Sequence, residues 1–255
     1  MASPGEAQRL QKVLSQIGVG SRREAEAWIR AGRLTVNDQP AVLGMRVHER
    51  DQLKLDGRLI RRRPATEALP VFLCHRSPGV ALLPGRSGER AAASSSSFAE
   101  RMPRRAGRRF LSVSPMPTVD GGLELLTADG ALAARLQRAV RSLESEFSLR
   151  VRGQLSDEQR QGVLQGELDR GIALRVLALE AAGGEGSNRW YRLVTLGASG
   201  NDVRQLIERQ AVTLVRMLRT RLGKLTLPRT LARGRWAELD GAQLSGLLGS
   251  RAAGR

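Results

Sequence analysis

The chain of 255 residues carries 42 Lys and Arg against 25 Asp and Glu, a formal charge of +17, and nearly all of the positive residues are Arg. A GC-rich genome raises Arg counts, but it does not explain why they cluster. A guanidinium stays charged and grips phosphate through two donors at once, so the excess points to a polyanionic partner. The first residues, MASPGEAQRLQ, hold no apolar signal core and no long apolar run follows, so a soluble cytoplasmic protein without a membrane partner is expected. Cys74 is the single cysteine, which excludes an internal disulfide; with His48 and His75 beside it, no metal site and no cofactor are expected.

The length suits two modest domains. From Gln8, the apolar residues Leu10, Val13, Leu14 and Ile17 fall at helical spacing until Gly18 and Gly20. Ser21 then caps a second helix, with Glu24 three residues on as a capping box requires, an apolar stripe of Ala25, Trp28 and Ile29, and a stop at Gly32. The alternating segments LTVND and DQLKLDG read as short strands, and the unit closes near Ile60. RRRPATEALP, 61–70, is charged and holds two Pro, so it reads as a linker.

Beyond it, VFLCH is a strand, AAASSSS (Ala91 to Ser97) a low-complexity loop, and FLSV and LELL flank a turn-rich segment. A helix is expected over Gly130 to Val140, a strand over Phe147 to Gly153, and a helix after Ser156. Strands follow near Ile172 to Leu179 and Trp190 to Thr195, then a helix from Asp202. The domain ends near 250 and residues 251–255 form a tail. No solenoid repeat is present.

In the N-terminal unit, Arg22, Arg23, Arg30 and Arg33 lie at or near the ends and one flank of the second short helix, with Lys12 on the preceding one. The start of the second helix, Ser21 to Arg23, offers free backbone N–H groups and the positive end of the helix dipole. The string RLQKVLSQIGVGSRREAEAWIRAGRLTVND resembles the RNA-binding module shared by ribosomal small-subunit protein four, tyrosyl-tRNA synthetase and several pseudouridine synthases. The likeness spans about fifty residues and implies that Lys12, Ser21, Arg22, Arg23, Arg30 and Arg33 hold structured RNA through its backbone shape.

From Val71 to about Ser250 the chain resembles the bacterial rRNA pseudouridine synthases that carry this module, on the strength of LLTADGALAARL (Leu125 to Leu136), GGEGSNRWYRL (Gly183 to Leu193) and LPRTLARGRWAELD (Leu227 to Asp240). The resemblance implies an α+β fold with a mainly antiparallel central sheet and flanking helices behind the small α/β module. It also implies isomerisation of a uridine flipped out of the RNA by an enzyme whose indispensable group is an Asp in a Gly-Arg-Leu-Asp string.

Here the sequence departs from the family. Counting back from Thr127-Ala128-Asp129-Gly130 without a gap puts that string on Ser114, Pro115, Met116 and Pro117. Proline has no carboxylate to offer and fixes the backbone. The family's Tyr falls on Phe147, which keeps a ring able to stack on a base but has no hydroxyl with which to move a proton. The basic run before the family's Val-Arg-Arg helix reads Ala198-Ser199-Gly200-Asn201-Asp202-Val203-Arg204-Gln205, in which Arg204 survives as a candidate RNA contact.

Asp120, in TVDGG, is the fallback carboxylate should Gly121-Gly122 let the loop take another path; its commoner use is as a turn residue. The neighbours Cys74 and His75 point to opposite strand faces, which argues against a nucleophile–base pair. Gly183 to Gly186 lacks the Gly-Lys-Ser/Thr of a phosphate loop and reads as a turn. Trp190 is expected in the core, leaving Tyr191 to stack on a base. Five Arg between Arg101 and Arg109, including Arg104, Arg105 and Arg108, line the approach to the degenerate loop, and Arg216, Arg219, Arg221 and Lys224 form a second basic strip.

The sequence therefore leads to a monomeric RNA-binding protein that keeps a synthase scaffold without its catalysis, working on rRNA or an assembling ribosomal particle. Ribosomal particles and assembly factors are further partners. The alternative is an active isomerase that uses Asp120.

Overall fold

The computed structural model describes residues 7–60, 70–84, 96–102, 109–184 and 186–249. Most of the expected linker, the first five residues of the Ala91 to Ser97 loop, and Arg104, Arg105 and Arg108 lie outside the described residues. Chain contacts define two compact units, a smaller one built on the residues before Pro70 and a larger one that starts there.

In the smaller unit, helices α1 (Leu10–Gln16) and α2 (Arg22–Arg30) precede a four-stranded antiparallel sheet of β1 (Leu34–Val36), β2 (Gln39–Pro40), β3 (Leu53–Leu55) and β4 (Arg58–Leu59), in the order β2-β1-β3-β4. The capping box forms as its spacing predicts: the Glu24 amide donates to Ser21 Oγ at 3.2 Å, and the Ser21 amide donates to Glu24 Oε2 at 2.7 Å. Gly20 lets the helices turn tightly, because a Cβ there would lie 2.4 Å from the Trp28 ring. The apolar stripes meet in one core of Leu10, Leu14, Ala25, Ile29, Leu34, Val36, Val47 and Leu53.

The larger unit is built on a nine-stranded sheet. Its main strands are β5 (Val71–Arg76), β6 (Gly121–Thr127), β7 (Glu144–Arg152), β8 (Arg175–Ala181), β9 (Asn188–Leu196), β10 (Leu214–Leu222) and β11 (Trp236–Glu238), in the order β8-β9-β7-β10-β6-β5-β11. Every pairing is antiparallel except β10 with β6. Helices α3 (Gly130–Ala139), α4 (Asp157–Gln165), α5 (Gly200–Glu208) and α6 (Gly241–Leu248) flank the sheet. Two cores result. Phe147, Leu149 and Val151 of β7 pack with Val163 of α4 and Leu206 and Ile207 of α5, while Leu73, Leu123 and Leu125 pack with Leu136 of α3 and Leu247 of α6.

Two expectations are corrected here. The basic strip is not one surface: Arg216, Arg219 and Arg221 belong to central strand β10 and Lys224 to the turn after it, and the bulge opposite Glu146 and Phe147 turns Arg219 inward, fully buried, while Arg221 reaches Glu144 and Glu146. Tyr191, not Trp190, is the core residue. It lies in register with Leu149 on the packed face, where its hydroxyl accepts the Leu155 amide at 2.9 Å, and Trp190 points to the opposite face. Strand β11 and helix α6 went unread because they are short and carry little periodic signal.

Candidate functional site

Helices α1 and α2 expose Lys12, Arg22, Arg23 and Arg30, and Arg33 is exposed just beyond them. Arg33 forks onto Asp56, with Nε 2.8 Å from Oδ1 and Nη2 2.6 Å from Oδ2, and Arg30 lies 3.9 Å from Glu26. Lys12, Arg22 and Arg23 have no carboxylate partner among the described residues, which leaves their donors available to an anion. Ser21 is spent internally, since both its amide and its hydroxyl serve the capping box. It therefore fixes where α2 begins.

The segment on which the resemblance places the catalytic string, 114–117, is clamped from beneath by three fully buried charged side chains, Arg76, Glu124 and Arg219. Arg76 comes from the end of β5. It donates through Nε to Glu124 Oε1 (2.9 Å) and through its two terminal nitrogens to the carbonyls of Val80 (2.6 Å), Met116 (3.1 Å), Pro117 (2.9 Å) and Thr118 (3.3 Å). Arg219 of β10 donates to the carbonyls of Leu123 (2.8 Å) and Ser114 (2.6 Å) and to Ser114 Oγ (3.0 Å), with Glu124 Oε2 at 3.5 Å. Glu124 also accepts the Met116 amide at 3.0 Å. Burial pushes the Glu124 carboxyl above its ordinary range, against the pull of Arg219 and Arg76. With its polar groups matched in this way, the clamp holds the loop backbone in one path.

Pro117 ends that path in a turn, its carbonyl accepting the Asp120 amide at 3.0 Å. Asp120 itself is fully buried. Arg204 of α5 grips it with two parallel bonds, Nε to Oδ2 at 2.9 Å and Nη2 to Oδ1 at 2.7 Å, and the Met217 amide adds a third at 3.1 Å. Arg204 is further bound to Glu208 at 2.9 Å. The candidate RNA contact at Arg204 is thus held in an internal ion pair. Phe147, expected to offer a ring to a base, has no accessible surface, because it sits in the same core as Met116. The start of α5 presses on the loop as well: a Cβ on Gly200 would fall 2.6 Å from Pro117 Cδ and 2.7 Å from Met116 Sδ. Met116 of the loop, Phe147 of β7 and the start of α5 are thus packed together.

The S4 domain model matches residues 8–53. Over 239 residues the chain is 37% identical to ribosomal large subunit pseudouridine synthase B of Shigella flexneri, covering 92% of this chain and 81% of that one. The chain belongs to the rRNA pseudouridine synthase family. The Pseudomonas aeruginosa protein of the same name is 36% identical over 234 residues, 91% of this chain, and the chain spans 60% of that relative's length. A crystal structure of a pseudouridylate synthase shares the fold, with a TM-score of 0.60 at 16% identity over 94% of this chain and 99% of that one.

Within this family scaffold the clamp was the part that sequence reasoning missed. Glu124 was available as a signal, being the one charged residue in a strand of seven. Nothing local marks Arg76 and Arg219 as its partners. The turn at Gly183 and Gly184 forms as expected, both residues having positive φ. Cys74 is buried, and burial pushes its thiol well above the ordinary range, which agrees with a packing role. Among the described residues no group of three His, Cys, Asp or Glu could hold a metal, and no helix is long and apolar enough to cross a membrane.

Proposed function

We propose that this protein binds ribosomal RNA through its N-terminal module and keeps the synthase scaffold without isomerising uridine. The observation that carries the reading is the fate of the carboxylate: Pro117 stands where the resemblance places the nucleophile, and the nearest replacement, Asp120, is fully buried with both oxygens engaged by Arg204 and the Met217 amide. A group that attacks ribose must reach it, and this one has no surface with which to do so. Residues 8–60 form the RNA grip, 61–70 the linker and 71–250 the scaffold, ahead of a short tail at 251–255. Lys12, Arg22, Arg23, Arg30 and Arg33 contact phosphates, with Arg104, Arg105 and Arg108 guiding RNA toward the scaffold. The protein acts as a cytoplasmic monomer on rRNA or on an assembling ribosomal particle.

The competing reading is an active isomerase that uses Asp120. The Arg204 fork favours it, because it places a carboxylate and a guanidinium together beside the loop. One experiment separates the two. Purified protein is incubated with rRNA from a deletion strain and the RNA is mapped for pseudouridine. No new site is expected, and a stoichiometric site that vanishes with Asp120→Ala would overturn the pseudoenzyme reading. RNA binding is tested by salt. Affinity should fall steeply between low and moderate salt, and charge reversal at Arg22, Arg23 and Arg33 should flatten that fall.

A further inference from the structure

Strand alternation gives β7 two unlike faces. Phe147, Leu149 and Val151 enter the core beneath α4 and α5, while Glu146, Ser148, Arg150 and Arg152 point the other way. On this second face Arg150 is in register with Trp190 of β9 on one side and with Arg216 of β10 on the other. Its guanidinium carbon lies 5.8 Å from the centre of the Trp190 ring, and its buried Nε has no hydrogen-bond partner among the described residues. Two like charges directly opposite across a strand pair repel, and among the described residues no carboxylate relieves the repulsion. The carboxylates of this face are committed at its other end, where Glu146 and Glu180 hold Arg192, and Glu146 and Glu144 hold Arg221. Arg150, Arg152 and Arg216 have no carboxylate within ion-pair distance among the described residues.

We propose that this face, formed by Arg150, Arg152, Trp190 and Arg216 on the side of the sheet opposite Phe147, is a second RNA-binding surface that holds a phosphate backbone. The geometry suits a polynucleotide better than a single small anion. Arg150 and Arg152, two residues apart on one strand, are spaced about 7 Å along it, comparable to successive phosphates of a strand. Arg216 lies across from Arg150 at one strand spacing. The Trp190 ring holds the Arg150 cation. A bound phosphate would offset the Arg150–Arg216 repulsion. The face belongs to the larger unit and not to the N-terminal module, so RNA held by both would be held bivalently.

This inference rests on the RNA-binding reading, and the test keeps the two apart. The full chain and an Arg150→Gln/Arg216→Gln double variant are titrated with an in vitro transcript of large-subunit rRNA across a salt series. Wild type should show a steep linear loss of affinity with salt. The variant should bind at least tenfold more weakly at low salt, with a slope shallower by about 1.4 to 1.8 for two lost contacts. If wild type shows no salt-dependent RNA binding, the RNA-binding reading itself fails. Should wild type bind and a folded variant match it in affinity and slope, the second surface is overturned, and the Arg150–Trp190 contact is packing only. A second measurement needs no substitution: transcript containing 4-thiouridine is photocrosslinked to wild type and the peptides are mapped. Crosslinks in 147–152 or 188–192 support the surface, and crosslinks confined to 8–60 overturn it.

Discussion

Arg204 and Asp120, 84 residues apart in sequence, form a two-point ion pair with bonds of 2.9 and 2.7 Å, in which the Asp120 side chain is wholly enclosed and the Arg204 side chain is 22% exposed. The pair joins the turn after Pro117 to helix α5, and the Met217 amide ties both to central strand β10. It holds the loop shut. Asp120→Ala removes the enclosed partner of Arg204 and should destabilise the protein by about 3 kcal/mol, the lower end for buried pairs because Arg204 keeps some solvent and its bond to Glu208. Urea unfolding measures this, and a loss below about 1 kcal/mol would mean that Asp120 is not there to hold the loop.

The clamp of Arg76, Glu124 and Arg219 should behave differently from a simple buried ion triad. Glu124→Ala leaves two guanidinium groups enclosed without a counter-charge, at a cost of about 3–5 kcal/mol. Replacing all three residues by Met or Leu often rescues such a triad elsewhere. Here it should not, because the carbonyls of Val80, Met116, Leu123 and Ser114 would lose their guanidinium donors, and each acceptor left buried and unpaired costs about 1–3 kcal/mol. A triple variant that melts at or above wild type would show that the loop does not need these donors.

Gly122 and Gly171 form a matched pair, since both have positive φ, +95° and +70°. At Gly171 nothing lies within 4 Å of where a Cβ would stand, so Gly171→Ala should cost only the backbone strain of about 1–2 kcal/mol. At Gly122 the Cβ would fall 2.4 Å from the Arg219 carbonyl oxygen, where β6 and β10 run side by side. Gly122→Ala should therefore be clearly more damaging than Gly171→Ala. Equal melting temperatures for the two variants would refute this account of the β6–β10 crossing.

Acid should loosen the start of α2. Hydrogen bonding from Ser21, side chain first and backbone second, holds the Glu24 carboxyl below its ordinary range, with Arg109 adding to the pull. A depressed carboxylate contributes stability that is complete above its unfolded value and is lost as pH falls through the folded one. Glu24→Gln keeps the capping geometry and removes the titration. The stability difference between wild type and this variant should accordingly be constant at neutral pH and shrink on acidification through the carboxylate range, as followed by thermal melts. A difference that stays flat to low pH would remove Glu24 from the acid response.

The module was legible because its signals are local. Ser21 and Glu24 are three residues apart, the apolar stripes repeat at the helical period, and Gly32 stops α2 where a glycine with φ of +66° is needed. That the resemblance places its nucleophile on Pro117 was equally a matter of counting along an ungapped string. What faces what across the larger unit was not legible. Strand position alone leaves Phe147 open to a base, yet it is enclosed because Met116 and helix α5 close over it from two other segments. The order of Trp190 and Tyr191 depended on which face of β9 met α4 and α5. The sequence by itself determined the family scaffold and the capped module. Only the tertiary structure decided that Asp120 turns inward to Arg204, that Arg76 and Arg219 converge on Glu124 from 48 and 95 residues away, and that Arg150 and Arg216 stand opposed on the far face. The reason is physical: capping and periodicity act between neighbours in the chain, whereas ion pairing and strand register act between residues that only the folded sheet brings together.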